Sequence, residues 1–331
     1  MAGSADTLFM PITNGEIPLG EGQWLYLGAR AIDGGFPDEL RAALVCEQSM
    51  RGAYLDLQMR GMNVSPRVDN TDRFSGALIL IGKHRGENET MIARASNMVS
   101  AGAPILIAGD KTSGVAPLRK RIAAFAEIDG SLAKYHATVF WLRNSVDFAS
   151  HFSSAKTSPQ GYQTSAGMFS AEKIDKGSAL LAEHLDENIR GDIADFGAGW
   201  GYLSAELLNR FSPRTVHLYE AHCASLEAAK ENLSDYDKGQ ISYYWHDLTR
   251  EAVGKKFDWI IMNPPFHEGR KTEPQLGVQF IEVAARSLKP KGGLLMVANV
   301  TLPYEKTLQQ NFSKVNQLAR RDGFKLLKAQ L

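Results

Sequence analysis

The chain predicts an α/β protein of two tandem domains, each a mostly parallel, twisted sheet with helices on both faces. Three observations lead there. Its 331 residues exceed the usual size of one domain, short apolar runs alternate with segments of helical period throughout, and the order of the second half repeats that of the first. Hydrophobic content of 44% and charged content of 22% describe an ordinary globular protein. Lysine plus arginine equals aspartate plus glutamate at 37 each, so net charge points to neither a nucleic acid nor a membrane, although a local basic face stays open. The start, Met1 to Asp6, lacks a basic segment followed by a long apolar one, and nowhere do eighteen apolar residues run together, which predicts a soluble, unsecreted, cytoplasmic protein. Cys46 and Cys223 stand alone without CxxC spacing, arguing against a disulfide framework or a thiolate metal site.

In the first half, Gly/Pro-punctuated segments over residues 8–32 enclose a short strand, Trp24 to Leu27, ended by Gly28. Asp38 to Leu44 reads as a short amphipathic helix and Val45 to Glu47 as a strand. Phe74 to Ile81 is a strong apolar run, Glu87 to Val99 has helical period, and Ala103 to Ala108 is a second apolar run. From Ser145 to Ser165 the chain turns rich in Ser, Thr and Gln, broken by Phe148, Phe152 and Tyr162. It predicts a linker, packed in part on one domain, at 151–165 between domains at 1–150 and 166–331.

The second half alternates more clearly. A helix is expected from Lys176 to Asn188, a strand at Asp192 to Phe196, a helix from Tyr202 to Phe211, a strand at Val216 to Glu220 and a helix from Cys223 to Leu233. Strands follow at Ile241 to Trp245 and Phe257 to Met262, then a helix from Leu276 to Leu288 and, after a Lys289-Pro290-Lys291-Gly292 turn, a strand from Gly293 to Val300. The tail, Phe312 to Leu331, can supply one or two edge strands. Phe74 to Gly86 lies without a gap on Phe257 to Gly269, and Tyr26 to Arg30 falls on Asp195 to Gly199. This predicts a duplicated domain whose first copy has Leu80 in place of Asn263 and lacks both the acid and a glycine of the turn.

Three features of the second copy carry chemistry. Asp195-Phe196-Gly197-Ala198-Gly199-Trp200-Gly201 joins a strand to a helix, and its glycines permit positive φ and close approach of backbone to a ligand. The spacing is GxGxG, not the GxGxxG of dinucleotide folds, and the leading acid suits a cationic or hydroxyl-bearing ligand better than a pyrophosphate. Glu220 ends the next strand, where an acid binds ribose hydroxyls, and Asp247 ends the one after, placed to accept from an adenine amino group. Either acid alone reads equally well as a polar strand cap. Asn263-Pro264-Pro265-Phe266 follows the Phe257 to Met262 run, so two prolines fix an amide and a ring at the rim of the sheet where open α/β folds bind ligands. Those four residues alone also fit a plain Pro-Pro turn. A ribose acid, an adenine acid and no phosphate-neutralising lysine in the loop together describe S-adenosylmethionine.

Residues from about 165 to 331 resemble the class I S-adenosylmethionine-dependent methyltransferases of the methyltransferase small domain group. In particular they resemble the bacterial ribosomal RNA small subunit methyltransferase C family, which methylates guanine N2 in 16S ribosomal RNA, and its 23S relatives. The matching motifs are Gly167-Met168-Phe169-Ser170 with Asp175-Lys176-Gly177-Ser178, the Asp195 to Gly201 turn, Asn263 to Phe266 with His267-Glu268-Gly269, and Val297-Ala298-Asn299 with Leu302-Pro303-Tyr304. Ala198 departs from the cysteine common at that place, an exchange of small residues. The resemblance implies two tandem Rossmann-like methyltransferase domains, the first degenerate and handling RNA. It implies a cofactor site of Asp195, Gly197, Ala198, Gly199, Gly201, Glu220, Asp247 and Asn263, with Phe169 lining the cofactor or target-base pocket. Asn263 and Pro264 would hold the target amine through their oxygens and Phe266 would stack on the base. The partner implied is ribosomal RNA or a ribosomal subunit; no membrane or metal is expected, and the oligomeric state is left open with a monomer slightly favoured. His217, His222, His246 and His267 have no metal-ligand spacing, and His267 is placed either to approach the base or to cap the next helix. Arg119-Lys120-Arg121 and Arg270-Lys271 read as solvated faces or phosphate contacts. Two other functions compete: methylation of a glutamine amide in a translation factor or ribosomal protein, and a non-catalytic RNA-binding or ribosome-assembly protein.

Overall fold

The computed structural model describes residues 3–32, 34–36, 38–69, 73–152, 159–236, 239–265, 267–268, 271–272 and 274–331, with the side chains of 159, 267–268 and 271–272 left aside. The chain divides into two units, Met1–Lys156 and Thr157–Leu331. The first unit holds α1 (Ser4–Thr13), β1 (Trp24–Leu27), α2 (Asp38–Ala43), β2 (Leu44–Glu47), α3 (Arg51–Met59), β3 (Val64–Ser65), β4 (Gly76–Leu80), α4 (Arg85–Met98), β5 (Pro104–Asp110), α5 (Val115–Ile122), β6 (Gly130–Lys134), β7 (Ala137–Arg143) and α6 (Phe148–His151). The second holds α7 (Lys176–Glu183), β8 (Asp192–Phe196), α8 (Tyr202–Arg210), β9 (Thr215–Glu220), α9 (Cys223–Asn232), β10 (Ile241–Trp245), β11 (Phe257–Met262), the short pair β12 (His267–Glu268) and β13 (Lys271–Thr272), α10 (Pro274–Ser287), β14 (Leu288–Asn299), α11 (Glu305–Asn311), β15 (Lys314–Arg321) and β16 (Phe324–Gln330).

The two sheets are built alike. The first runs β3-β2-β1-β4-β5-β7-β6 and the second β10-β9-β8-β11-β14-β16-β15, so both have the order 3-2-1-4-5-7-6 with a final antiparallel pair. Strand order reverses between β1 and β4, and again between β8 and β11, which opens a crevice at their carboxyl ends. β1, β4 and β8 are buried at every residue, as strands covered on both faces must be. Alternate side chains serve alternate faces. In the second unit Ala194, Phe196, Ile260 and Met262 pack under Phe280, Ile281 and Ala284 of α10, while Ile193, Ile261 and Leu295 pack under Leu180, Leu181, Leu203 and Leu226 of α7, α8 and α9.

The strands at Trp24, Asp192, Ile241 and Phe257 match expectation to the residue, and most other expected strands to within two. Four departures have physical causes. α7 stops at Glu183 instead of Asn188, because the His184 ring bonds the Leu180 carbonyl at 2.9 Å and Asp186 accepts from the Asn188 N–H at 2.8 Å, a local bond that competes with the helix. The Lys289 to Gly292 turn is a bulge inside β14. Lys291 is left-handed (φ 64°), the pairing with β11 jumps from Phe257–Leu288 to Trp259–Gly293, and a Cβ on Gly293 would lie 2.3 Å from the Trp259 ring. The expected linker is divided between both cores: Phe148 and Phe152 are buried beside Phe125, and Tyr162 packs on Trp200 at 5.0 Å. Finally, α1 forms despite Pro11, burying Leu8 and Phe9, with Thr7 donating to the Lys134 carbonyl at 3.0 Å.

Shared topology makes the copies comparable residue by residue. Through the β1–β2 and β8–β9 registers, Leu27 corresponds to Phe196 and Gln48 to Glu220. The correspondence extends to hydrogen bonds, since Gln48 Oε1 accepts from Met50 N–H as Glu220 Oε1 accepts from His222 N–H, each two residues on. Next to Gln48, Glu47 takes a two-pronged bond from Arg94 (2.6 and 2.8 Å) and one from the Val68 N–H (2.7 Å). The Glu47 carboxylate is largely buried, so removing its cation strands a charge. Arg94→Ala should therefore cost the first unit about 3 kcal/mol in urea unfolding, at the low end for a broken buried pair because Arg94 reaches solvent; Arg94→Ala with Glu47→Gln should recover part of the loss.

Candidate active site

The carboxyl ends of β8, β9 and β11 bring the glycine turn, Glu220 and the Asn-Pro-Pro segment together. Gly197, Gly199 and Gly201 have φ of 75°, 56° and 90°, a left-handed run that β-carbons would strain. The turn is anchored by Gly197 and Ala198 N–H donating to the Tyr219 carbonyl at 2.9 and 3.1 Å. It remains open above: a Cβ on Gly199 would meet nothing within 4 Å, and one on Gly197 nothing nearer than Phe280 at 3.6 Å. In the first unit the equivalent Gly28 faces the Leu80 carbonyl, 2.5 Å from a built Cβ, and the Tyr26 ring replaces Asp195, its hydroxyl bonded to the Arg30 backbone. One turn is open and the other filled.

Asp195 is fully buried. One oxygen accepts from Ser204 Oγ at 2.7 Å, and the other has no partner among the described residues. Burial, with Glu220's charge adding to it and the Ser204 bond opposing, pushes its pKa up to about 7. Glu220 accepts from Gly199 N–H (2.8 Å) and His222 N–H (2.7 Å), tying the turn to the end of β9; burial also raises its pKa. Asp247 Oδ1 accepts from the N–H and hydroxyl of Thr249 (2.9 and 2.6 Å), so this acid builds the turn after β10, as the capping reading allowed. Two acids held above their ordinary range beside an open glycine turn suit a ligand that brings hydroxyl and ammonium donors.

Asn263 sits one residue past β11. Its Nδ2 donates to Asp175 Oδ2 at 2.9 Å and to Ser178 Oγ at 2.8 Å, and its buried Oδ1 has no partner among the described residues. Pro264 is buried and Pro265 exposed. Phe266 lies outside the described residues, as do the side chains of His267, Arg270 and Lys271. Phe169 is 61% exposed, with its carbonyl bonded to Trp200 Nε1 at 3.0 Å and left-handed Ser170 next to it (φ 54°), so its ring stands at the surface. That bond clamps the segment before α7 onto the glycine turn, and Asn232 adds bonds to the Trp200 and Gln163 carbonyls.

Ser204, Trp200 and Asn232 were missed by sequence reasoning, and only a serine on the helix following the turn hinted at the first. Tyr304 carried a motif but no role. It is buried with its hydroxyl unpartnered among the described residues, and a Cβ on Gly277 would lie 1.9 Å from it. Of the histidines, His217 is buried between Thr215 and Lys255, its pKa pushed down to about 4 chiefly by burial, while His222 bonds Ser225 and His246 the Glu251 carbonyl. Among the described residues no cluster of His, Cys, Asp and Glu could hold a metal, and no helix is long and apolar enough to cross a membrane. Arg121 pairs with Glu89 and Arg119 with the Ser131 hydroxyl. A groove of about 580 Å³ beside Arg190, Arg214, Asp258 and Trp259 lies at the amino ends of the strands, the opposite edge from these acids.

The sheet order and the acid-glycine turn define a class I methyltransferase architecture. A profile of the methyltransferase small domain matches residues 161–328. The ribosomal RNA small subunit methyltransferase C of Haemophilus influenzae (strain PittEE) is 31% identical over 259 residues, 74% of this chain and 76% of that protein. Its namesake in Mannheimia succiniciproducens is 31% identical over 271 residues, 78% of this chain and 80% of that protein. In fold, the T. thermophilus 16S rRNA N2 G1207 methyltransferase, solved with AdoMet and guanosine, superposes with a TM-score of 0.80 at 23% identity over 99% of this chain and 91% of that one. The chain belongs to the methyltransferase small domain family, within the ribosomal RNA small subunit methyltransferase C group.

Asp195 gives a test independent of activity. A carboxyl whose folded pKa lies above its unfolded one binds its proton more tightly in the fold, so the wild type loses stability as pH climbs from about 4 to about 7. Asp195→Asn, which cannot ionise, should gain in thermal midpoint over the wild type across that range, with the gain level above pH 7, as followed by circular dichroism melts of the cofactor-free protein.

Proposed function

We propose that the protein is a cytoplasmic S-adenosylmethionine-dependent methyltransferase that modifies the exocyclic N2 amine of a guanine in ribosomal RNA, 16S as the relatives' names indicate. The observation that carries the chemistry is the buried, unpartnered Oδ1 of Asn263 at the carboxyl end of β11. The cofactor supplies an electrophilic methyl group on a sulfonium. Asp195 Oδ1 and the open turn at Gly197 and Gly199 are available to its donors and backbone, and Glu220 supports that turn from the end of β9. Asp247, Ala198, Gly201 and Phe169 complete the binding set in this reading.

A guanine amine is planar because its lone pair is conjugated with the ring, and it must turn that pair toward the methyl group. Asn263 Oδ1 accepts one N–H and the Pro264 carbonyl the other, which holds the nitrogen and favours its change to tetrahedral geometry. Phe266 stacks on the base, a contact worth ~1–3 kcal/mol. The base is drawn out of its stack to reach this rim, and most of the rate comes from positioning. The first unit, with Tyr26, Arg30, Gln48 and Leu80 where the second has Asp195, Gly199, Glu220 and Asn263, handles the RNA. The resulting division is 1–150 for target handling and 166–331 for catalysis.

Transfer of labelled methyl from S-adenosylmethionine to ribosomal RNA, free and in subunits, should place the label on guanine N2; label on protein glutamine, or none on RNA, would refute this reading. Asn263→Ala should lower turnover about 100-fold, the scale of losing one transition-state hydrogen bond, while calorimetry shows cofactor affinity unchanged within a few fold.

A further inference from the structure

The Asn263 amide is held in one of its two orientations. Asp175 Oδ2 lies 2.9 Å from Nδ2 and also accepts the Ser178 N–H at 2.8 Å, which fixes it as the N-cap of α7. Ser178 Oγ lies 2.8 Å from the same Nδ2. An ionised carboxylate only accepts hydrogen bonds. The amide therefore cannot flip without setting its oxygen against that carboxylate, and Oδ1 stays turned the other way, where it is buried and has no partner among the described residues.

We propose that Asp175 and Ser178 are positioning residues for methyl transfer. They lock the Asn263 amide with its oxygen toward the target amine, and the negative charge behind the amide polarises that oxygen into a stronger acceptor as positive charge develops on the attacking nitrogen. The proposal rests on Asn263 being the amine-holding residue, and it makes the start of α7 part of the reaction apparatus instead of a plain helix cap. Gly177 lies inside this clamp, where a Cβ would approach Asp175 Oδ2 to 3.0 Å and the Phe324 ring to 2.9 Å.

Serine caps helices about as well as aspartate, but its shorter side chain does not extend to Asn263. Asp175→Ser should therefore keep the melting temperature and cofactor affinity while lowering kcat about 10- to 100-fold, the usual effect of removing a residue that orients an active group. Asp175→Asn, which retains an acceptor oxygen at that distance but no charge, should restore the part of the rate that orientation supplies, giving a rate between those of Asp175→Ser and the wild type. Ser178→Ala, which spares the backbone N–H, should show a smaller loss. In an Asn263→Ala background, Asp175→Ser should cost nothing more, because the group it orients is gone. Equal rates for the serine and asparagine variants, or a full further loss in the Asn263→Ala background, would reduce Asp175 to a cap and overturn the proposal. NMR of the Asn263 side-chain NH2 needs no substrate: its protons should exchange slowly in the wild type and faster in Asp175→Ser, and unchanged exchange would also overturn it. Methylation of an acceptor other than guanine would defeat the functional reading and leave that NMR result standing.

Discussion

A buried polar atom left without a partner costs about 1–3 kcal/mol, and among its described residues the second unit keeps two where its sheet reverses order, Asp195 Oδ1 and Asn263 Oδ1. Much of the surrounding structure serves to hold them. Ser204 occupies one oxygen of Asp195 and leaves the other. Asp175 and Ser178 occupy the nitrogen of Asn263 and leave its oxygen. Buried β8 and the buried carboxyl end of β11 set the two side chains close together, with Asp195 paired to Ile261 and Phe196 to Met262, the residue before Asn263. Unsatisfied acceptors so firmly supported are placed to meet donors from a ligand.

The first unit shows what the same fold does without that demand. It has the same strand order and a left-handed glycine at the same turn. Yet the Tyr26 hydroxyl is satisfied by the Arg30 backbone, Gln48 bonds the Ala29 carbonyl and the Met50 N–H, and Leu80 stands at the position of the amide. The carboxylate that is present, Glu47, has Arg94 as its counter-ion. Polar groups that one copy leaves open are replaced or paired in the other, while the topology is unchanged. Sheet order depends on apolar alternation, which both halves share, whereas binding depends on a few strand-end residues that can be exchanged without disturbing the core.

That separation explains what the sequence disclosed. Strands such as Phe257–Met262 were legible because buried parallel strands are continuous apolar runs bounded by Gly, Pro or charge. The edge strand β6 was not, since Gly130–Lys134 is largely exposed and has little apolar content to reveal it, whereas β7, Ala137–Arg143, is a buried apolar run that sequence reasoning passed over. α1 was hidden by Pro11, whose local penalty is outweighed by the burial of Leu8 and Phe9. In the site, Asp195, Glu220 and Asn263 were readable from their places at strand ends. The clamp was not, because Asp175 and Asn263 are 88 residues apart and only the fold brings them within hydrogen-bonding distance.

The strand-end acids separate further once their bonds are compared. Asp247, Glu220 and Asp195 look equivalent in sequence, each an acid at or near the end of a parallel strand. Asp247 has Oδ1 committed to Thr249, Glu220 has an oxygen on each of two backbone N–H groups, and of these three acids Asp195 alone combines complete burial with an oxygen that has no partner among the described residues. A carboxylate already bonded to backbone gains less from a new donor than one with none, because the exchange replaces one hydrogen bond by another. Ligand binding should therefore draw its largest electrostatic gain from Asp195, with Glu220 supporting the turn and Asp247 shaping the rim. The same reasoning separates Asn263 from an ordinary turn residue, for its amide nitrogen is satisfied twice over and its oxygen by none of the described residues.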